Sequence, residues 1–252
     1  MKIYENYLNT LRSHANEESE LRFAANQLLE MHTEAFKRYS PVIVELGVDK
    51  GQSTRVFLNA IADKNNSRLI SIDIKDCKDA VKSENWEFVQ QDSIDINSLL
   101  SKKPILKNGI DILYIDSLHT QAHVLKEIYT FFEYMKPNGV IYFDDIDSGP
   151  YMKGQRKDSI NTEITNRKIL DLLEAVFRAN YSSIDFSIHK GSTGLAKFVK
   201  HSKLGDKLRP PVFIGKRRLR LFWRILERIK FKKSYHHNNA TNDSFLINPN
   251  DD

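Results

Sequence analysis

Three aspartates stand at the ends of two predicted strands, where their carboxylates could hold a metal ion. Asp116 closes one apolar run, and Asp144 and Asp145 close the next one along the chain. If the two strands are parallel neighbours, the carboxylates converge at one rim, where they would lose hydration and repel one another. A hard divalent cation with oxygen ligands, Mg2+ most simply, would offset that repulsion. The alternative is that Asp145 or Asp147 only caps a turn, or that Lys153 or Arg156 in the next loop neutralises the acids.

His119 lies three residues after Asp116, where a helical pattern begins. A histidine at such a rim could act as a general base or could position a substrate hydroxyl. The alternative is a structural histidine that only makes hydrogen bonds near the start of the helix.

A tight turn between a strand and a helix forms a second group of candidate residues. An apolar run ends in Glu45, and Gly47 and Gly51 follow before the helical pattern starts. Two residues without Cβ let a ligand approach the backbone, and the N–H groups of the helix lie beside it. The dinucleotide fingerprint would need glycine at position 45 or 49, where this chain has Glu45 and Asp49.

Acids also follow the second and third predicted strands. Asp73 could accept both hydroxyls of a ribose, the role of such an acid in nucleoside-binding α/β folds. Asp92 could contact the amino group of an adenine. The alternative for both is that they cap the helices that follow, because aspartate is a preferred N-cap residue.

The elements that position these residues alternate between strand and helix. Strands that are apolar almost throughout predict a parallel sheet covered on both faces. The final pair of strands is joined by residues 189–193 and predicts a hairpin, so the sheet should end antiparallel. We therefore expect a Rossmann-like, doubly wound α/β fold with seven strands. The predicted strands are 42–46, 68–73, 86–90, 110–116, 139–144, 183–188 and 194–199, and the predicted helices in this part are 52–63, 121–136 and 161–180.

Composition and charge limit the class of protein. The chain has 252 residues, 40% of them hydrophobic, which suits a large globular core. The single cysteine excludes an internal disulfide and fits a reducing compartment. The sequence shows neither an apolar leader nor a span of about 20 apolar residues, so we expect a cytoplasmic protein. Residues 216–233 hold nine Lys/Arg and one Glu, so the rest of the chain is near −3 although the net charge is +5. The body of the protein is therefore not expected to bind nucleic acid.

Together, these motifs resemble those of the class I S-adenosylmethionine-dependent methyltransferases, over about residues 40–200. Within that class, the chain resembles the branch that contains the bacterial macrolide-sugar and polysaccharide O-methyltransferases. Members of this branch share an acid-x-x-His pattern after strand four and paired acids after strand five. The matching segments are Glu45-Leu-Gly-Val-Asp-Lys-Gly-Gln-Ser53, Asp73, Asp92, Ile-Asp116-Ser-Leu-His119, Lys136-Pro-Asn-Gly139 and Phe143-Asp144-Asp145.

The resemblance implies a role for each matching residue. The methionine part of S-adenosylmethionine would be surrounded by Glu45, Gly47 and Gly51, with Ser53 nearby. Asp73, after the second strand, would bind the ribose hydroxyls, and Asp92, after the third strand, would bind the adenine. The ligands of a metal ion would be Asp116, Asp144 and Asp145.

Two departures from the family pattern are visible. Ser117-Leu118-His119 stands where family members often have Gly-Asp-His before an aromatic residue, so the role of His119 is not carried over. Lys136-Pro-Asn-Gly139 replaces Lys-Pro-Gly-Gly, which is harmless because asparagine tolerates the turn conformations that glycine favours.

The resemblance implies O-methylation, and the position of the two side chains at the predicted rim makes Asp116 or His119 our candidate base. A sugar hydroxyl has a high pKa and needs a base and a metal ion more than a carboxylate or an amine does, so the acid cluster favours a sugar or polysaccharide acceptor. The N-terminal helical segment 1–40 and the loop 146–160 are expected to cover the site, with Tyr151 and Arg156 contacting the acceptor.

Residues 216–233 predict a cationic amphipathic helix in an extension that covers 201–233, and a disordered tail is predicted at 234–252. Phe222 and Trp223 fall on the apolar face, which suits an anionic membrane surface on the cytoplasmic side, where lipid-linked glycans are made. The alternatives are packing of that face on the domain or on a second copy of the chain, and nucleic-acid binding.

Two other functions fit the same sheet. A nicotinamide-dependent oxidoreductase is disfavoured by the missing glycine fingerprint and by the acid cluster. A methyltransferase-like domain that only scaffolds a membrane glycosylation complex is disfavoured by the retained Asp73 and Asp116.

Overall fold

The computed structural model describes residues 3–154, 160–214, 225 and 245–246. Two helices, α1 (Glu5–Ala15) and α2 (Leu21–Lys37), precede an alternation of strands and helices. The alternation consists of β1 (Val42–Leu46), α3 (Gln52–Ile61), β2 (Arg68–Asp73), β3 (Trp86–Gln90), α4 (Ile96–Lys102), β4 (Ile110–Ile115), α5 (Gln121–Phe131) and β5 (Met135–Phe143). It is followed by α6 (Gly149–Met152), α7 (Ile160–Asn180), β6 (Ile184–His189), β7 (Leu195–Lys200) and the two-residue β8 (Phe245–Leu246).

One sheet contains all the described strands, in the order β3-β2-β1-β4-β5-β7-β6-β8. The first five strands are parallel, and β7 runs antiparallel to both β5 and β6. The predicted Rossmann-like, seven-stranded sheet with an antiparallel last strand is confirmed. The short β8 adds a backbone pairing beyond β6.

The sheet is buried on both faces, which explains why its central strands are apolar throughout. All five residues of β1 are buried. One face packs on α5 and α7 through residues such as Ile128 and Leu172, and the other packs on α3 through Phe57 and Leu58. Because β1 and β4 are neighbours at the centre, their carboxyl ends open onto the crevice where the strand order reverses.

The helix predicted at 121–136 is shorter than expected. It ends at Phe131, a 3-10 turn follows over Phe132–Tyr134, and Met135 already belongs to β5. The Lys-Pro-Asn-Gly segment therefore lies inside the start of the strand, where the pairing with β4 shifts register after Ile110. Asn138 adopts a left-handed conformation there, with φ 60°, as its turn propensity predicts.

The N-terminal helices pack on α3 through a small apolar cluster that contains Leu8, Leu11, Ala25 and Val56. Each described helix is too short or too polar to cross a membrane. The basic segment 216–233, except Ile225, and the tail 234–252, except its two-residue strand, lie outside the described residues.

Candidate active site

A cavity of about 280 Å3 opens at the carboxyl ends of the central strands. Four parts of the chain line it, namely α2, the turn between β1 and α3, the ends of β4 and β5, and the turn between β6 and β7. The lining residues from these parts are, in that order, Ala24, Gln27, Leu28 and Met31, then Val48, Asp49, Lys50, Gln52 and Ser53, then Tyr114, Asp116 and Asp144, and finally Ser192, Thr193 and Leu195. The prediction that the N-terminal segment covers the site agrees with the position of α2.

The turn after β1 depends on glycine for steric reasons. Gly47 has φ +96°, and a Cβ on it would lie 2.0 Å from the backbone oxygen of Asp116. Gly51 has φ +71° and precedes the first residue of α3. The turn therefore packs directly against the end of β4, which brings the predicted cofactor turn and the acid cluster to one cavity.

Glu45 lies beneath the cavity and not on its wall. Its side chain is fully buried, and its carboxylate accepts hydrogen bonds from Ser53 at 2.6 Å, Thr54 at 2.9 Å and Ser71 at 2.6 Å. Burial raises the pKa of Glu45 to about 7, against the opposing effect of the three hydroxyl donors. Glu45 is thus not among the residues that line the cavity, whereas Ser53, which donates to it, is.

Asp73 and Asp92 both bind backbone N–H groups in this structure. The carboxylate of Asp73 accepts from Val48 and Lys75, each at 2.9 Å, and these bonds lower its pKa although partial burial opposes them. Asp73 therefore fixes the turn after β1, but it is not among the residues that line the cavity. Asp92 is exposed and accepts from the backbone N–H of Ile94 at 3.1 Å, which closes a turn, whereas the side chain that caps α4 is that of Asp95.

The structure brings the acids after β4 and β5 together. The Tyr114 hydroxyl donates to Asp144 at 2.7 Å and lies 3.2 Å from Asp116. Asp144 also accepts from Thr193 at 2.6 Å and from the backbone N–H of Asp145 at 2.7 Å. Burial and the charge of a neighbouring carboxylate raise the pKa of both Asp116 and Asp144.

His119 joins the same cluster. Its Nε2 lies 3.2 Å from Asp116, and its Nδ1 lies 2.9 Å from Asp145, a residue held at φ 56°. Partial burial would lower the pKa of His119, but the two carboxylates outweigh burial and raise it to about 10. At neutral pH the ring is therefore an imidazolium, which cannot accept a proton. Asp116, with its raised pKa, is the better candidate base in this arrangement.

The predicted metal ligands have the right donor type but are not arranged as a metal site. Carboxylate oxygens from Asp116, Asp144 and Asp145 suit a hard divalent cation. In this structure His119 occupies the position between two of them and supplies the positive charge. No group of three His, Cys, Asp or Glu side chains in the described part of the chain is placed to hold a metal ion.

The two predicted acceptor contacts are not part of this cavity as described. Tyr151 lies half-buried in α6, outside the residues that line the cavity. Arg156 falls in 155–159, outside the described residues.

Three residues of the site are not predicted by the motifs. Tyr114 could have been found, because a residue two before Asp116 on a strand points to the same face. Thr193 and Gln27 have no local signal, since each reaches the site only through the packing of distant elements.

A family model described as "Methyltransferase domain" matches residues 44–146. That segment runs from β1 to just beyond β5, and it includes the turn after β1 and the acid cluster. A comparison with curated proteins finds no match to this chain.

Solved methyltransferases share the fold. TomG, an O-methyltransferase of Streptomyces achromogenes involved in tomaymycin synthesis, was solved with SAM; it is 16% identical, with 80% of this chain and 92% of TomG covered and a TM-score of 0.54. Cofactor-bound Rv0187 from MTB is 15% identical, with 79% and 89% covered and a TM-score of 0.52.

MycE, a methyltransferase of the mycinamycin biosynthetic pathway, was solved with Mg, SAH and mycinamycin VI. It is 19% identical to this chain, of which 72% is covered, with a TM-score of 0.50. The present chain spans about half the length of MycE, since 50% of that protein is covered. These likenesses confirm the class I methyltransferase fold, and the methyltransferase-domain model matches residues 44–146, which are fewer than half of the residues of the chain.

Proposed function

We propose that the protein is an S-adenosylmethionine-dependent O-methyltransferase that acts on a hydroxyl of a sugar or polysaccharide. The observation that carries the proposal is the shared cavity. The turn after β1, the predicted cofactor site, and the acids Asp116 and Asp144 line the same space of about 280 Å3. A methyl donor held at the turn would thus stand beside groups that can activate an acceptor oxygen.

The chemistry required of the protein is alignment and proton removal. The methyl carbon of a sulfonium is already electrophilic, so the acceptor oxygen must be held in line with the S–CH3 bond. Asp116 is our candidate for the group that takes the hydroxyl proton, because its raised pKa makes it a better base than an ordinary aspartate. His119 would then hold Asp116 and Asp145 in place and balance their charge.

A divalent cation is compatible with the donor types of this cluster. Asp116, Asp144 and Asp145 are the residues that would hold it. When bound, such an ion supplies positive charge that lowers the pKa of a hydroxyl beside it. Asp144 already accepts hydrogen bonds from Tyr114 and Thr193, so an ion at this cluster would require these side chains to rearrange.

The lining of the cavity supports a sugar as the acceptor. The wall formed by α2 is mainly apolar, with Ala24, Leu28 and Met31 beside Gln27, whereas the facing wall carries polar groups such as Thr193 and Asp144. A pyranose ring has the same division, because its faces present C–H groups and its edge presents hydroxyls. A uniformly apolar cavity would instead suit an aromatic acceptor.

A second cavity supports a longer glycan. Its volume is about 490 Å3, and Gln27 lines both cavities. Charged groups dominate its wall, and Glu30 contacts His189 at 2.7 Å and Lys197 at 3.0 Å. Further sugar units of a polysaccharide would meet hydrogen-bonding partners there.

The test is methyl transfer from S-adenosylmethionine to a panel of sugars and oligosaccharides, with Mg2+ and with a chelator. We expect transfer with wild-type protein, and a loss of about a hundredfold or more with Asp116→Asn. Asp185→Asn, at a side chain that is 58% exposed, is the control and should retain activity. Loss of transfer in chelator would support the metal ion, and equal rates would argue against it.

Calorimetry separates the competing functions before any acceptor is known. We expect S-adenosylhomocysteine to bind and NAD not to bind. Binding of NAD alone would favour the oxidoreductase. Binding of S-adenosylhomocysteine together with full biological effect of Asp116→Asn would favour the non-catalytic scaffold.

A further inference from the structure

A buried polar cluster joins the loops after β3 and β4 to α5 and has no role in the chemistry proposed above. Its centre is Glu127 on α5, whose side chain is fully buried. The Ser93 hydroxyl donates to Glu127 Oε1 at 2.5 Å, and the Ser117 hydroxyl donates to the same oxygen. His123 Nε2 completes the cluster, at 3.0 Å from the Ser93 hydroxyl and 3.2 Å from Glu127 Oε1.

The cluster connects two loops that are distant in sequence. Ser93 directly follows Asp92, at the carboxyl end of β3, and Ser117 directly follows Asp116, at the carboxyl end of β4. One oxygen of Glu127 therefore fixes both loops relative to α5. The loop after β3 carries the predicted adenine contact, and the loop after β4 carries the candidate base.

Stability alone does not explain this arrangement. Glu127 Oε2 is buried and accepts no hydrogen bond from the described residues. A buried carboxylate oxygen left without a partner destabilises the folded state. A whole buried ion pair such as Glu127 and His123 can often be replaced by apolar residues without loss of stability, so its presence here calls for another reason.

We propose that Glu127 is a positioning residue for the adenine end of S-adenosylmethionine, acting through Ser93 and Ser117; the inference rests on the proposed function. Glu127 does not contact the ligand itself. It holds the loop of Asp92 so that the carboxylate of Asp92 can accept a hydrogen bond from the amino group of adenine. Relaxing that loop removes this bond while the binding of the ribose and the methionine part is retained.

Two substitutions separate positioning from packing. Glu127→Gln keeps an oxygen that can accept from both serines, whereas Glu127→Met keeps only the volume. Titration calorimetry on the full chain would use two probes, S-adenosylhomocysteine and S-inosylhomocysteine, in which a carbonyl replaces the amino group of adenine. Thermal unfolding of each variant reports whether the fold is kept.

We expect wild-type protein to bind S-adenosylhomocysteine more tightly than the inosine analogue. Glu127→Gln should stay within about threefold of wild type, and Glu127→Met should lose about tenfold (about 1.4 kcal/mol) for S-adenosylhomocysteine but little for the analogue, as expected for the loss of one hydrogen bond. The midpoint of unfolding of Glu127→Met should fall below that of wild type, because the buried Ser93 and Ser117 hydroxyls lose their acceptor, so both titrations are run well below that midpoint.

The inference fails if Glu127→Met binds S-adenosylhomocysteine as wild type does, if both probes weaken equally, or if Glu127→Gln loses as much as Glu127→Met. Should Glu127→Met not fold, Ser93→Ala provides the same comparison of the two probes. It removes one hydrogen bond to Glu127 and changes only a small side chain. If the wild-type protein binds neither probe, the proposed function itself is wrong, which is a different result from any of these.

Discussion

His119 supplies the positive charge within a cluster of three carboxylates, and this determines which side chain can act as a base. The ring contacts Asp116 through one nitrogen and Asp145 through the other. Both nitrogens are therefore engaged with anions, which favours the doubly protonated form. Proton removal from an acceptor is left to Asp116, whose pKa is raised by burial and by Asp144.

Glu45 makes a separate contribution, to stability. Its pKa is raised from 4.5 to about 7 in the folded protein because the side chain is fully buried. The folded state therefore binds this proton more tightly than the unfolded state does. Since ionisation is unfavourable only in the folded state, the free energy of unfolding should fall as the pH rises from about 4.5 to about 7.

We predict that this fall amounts to roughly 3 kcal/mol and is absent in Glu45→Gln. Chemical denaturation of the two proteins at pH 4.5, 6 and 7.5 measures it as their difference. Glu84→Gln, at an exposed position, should follow wild type at every pH. A constant difference between wild type and Glu45→Gln would contradict the assignment.

Single residues differ in how far the sequence could have placed them. Asp116 and Asp144 are predictable, because a residue at the end of a parallel strand faces the crevice whatever the detail of the packing. The burial of Glu45 is not, since it depends on three hydroxyls that come from α3 and β2. Sequence position shows that an acid follows the strand, but not whether its side chain turns toward the ligand or into the core.

The turn between β6 and β7 forms one wall of the cavity and is held from two sides. Asp147 accepts from the Gly191 N–H at 2.9 Å, and its own N–H donates to Thr193 at 2.8 Å. From α2, Gln27 donates to Gly191 at 3.0 Å, and the Phe23 ring lies so close that a Cβ on Gly191 would be 2.5 Å from it. These contacts fix Thr193, whose hydroxyl orients Asp144.

We therefore predict that Asp147→Ala loosens this turn and lowers methyl transfer without weakening cofactor binding. Loss of the bond to Gly191 should raise amide exchange in 189–194 by about tenfold, the effect of one hydrogen bond of roughly 1 kcal/mol. Hydrogen exchange read by mass spectrometry measures this directly. Asp147→Asn, which keeps an acceptor oxygen, should be intermediate, and unchanged exchange in Asp147→Ala would count against the role.

The turn between β1 and α3 allows a matched steric test. Gly47 and Gly205 both have positive φ, +96° and +89°, but only Gly47 is crowded, since a Cβ at Gly205 would meet nothing within 4 Å. Gly205→Ala should cost about 1–2 kcal/mol of stability through backbone strain alone. Gly47→Ala adds a clash with the backbone of Asp116 and should exceed that cost by several kcal/mol, or abolish folding. If denaturant titrations gave the same loss in free energy of unfolding for both variants, the backbone at the end of β4 would be able to shift and relieve the clash.

At the scale of elements, periodicity and turn residues predict most of the fold. The strands at 42–46, 68–73 and 86–90 have the predicted bounds, because each is a short apolar run between clear breakers. The helix predicted to reach Lys136 ends at Phe131, because Met135 belongs to β5 and pairs with Ile110 of β4. That pairing is a tertiary contact, and no pattern within residues 121–136 reports it.

The molecule as a whole separates a near-neutral catalytic body from a strongly basic C-terminal segment. Residues 216–233 have a local charge of +8 and lie outside the described residues, apart from Ile225. Ile225 belongs to the predicted apolar face and is 51% exposed, while Phe213 and Ile214 just before the segment are 55% and 63% exposed. We propose that this segment binds an anionic membrane surface.

Liposome co-sedimentation tests this proposal. The full chain should bind vesicles that contain anionic lipid, and binding should weaken as salt is added, because the attraction is electrostatic. A chain that ends at Gly215 should remain in the supernatant. Equal sedimentation of the two chains, or equal binding to vesicles without anionic lipid, would exclude the proposal.

The hydrogen bond from Gln27 to Gly191 joins residues 164 positions apart, and both line or flank the cavity. During synthesis on the ribosome, α2 emerges early and β7 emerges late. The pocket cannot exist until the hairpin has left the exit tunnel, so a nascent chain is unable to engage its ligands while most of the domain is still being made. Long-range closure of this kind also predicts slow folding, because the entropy of a large loop must be lost before the last wall is in place.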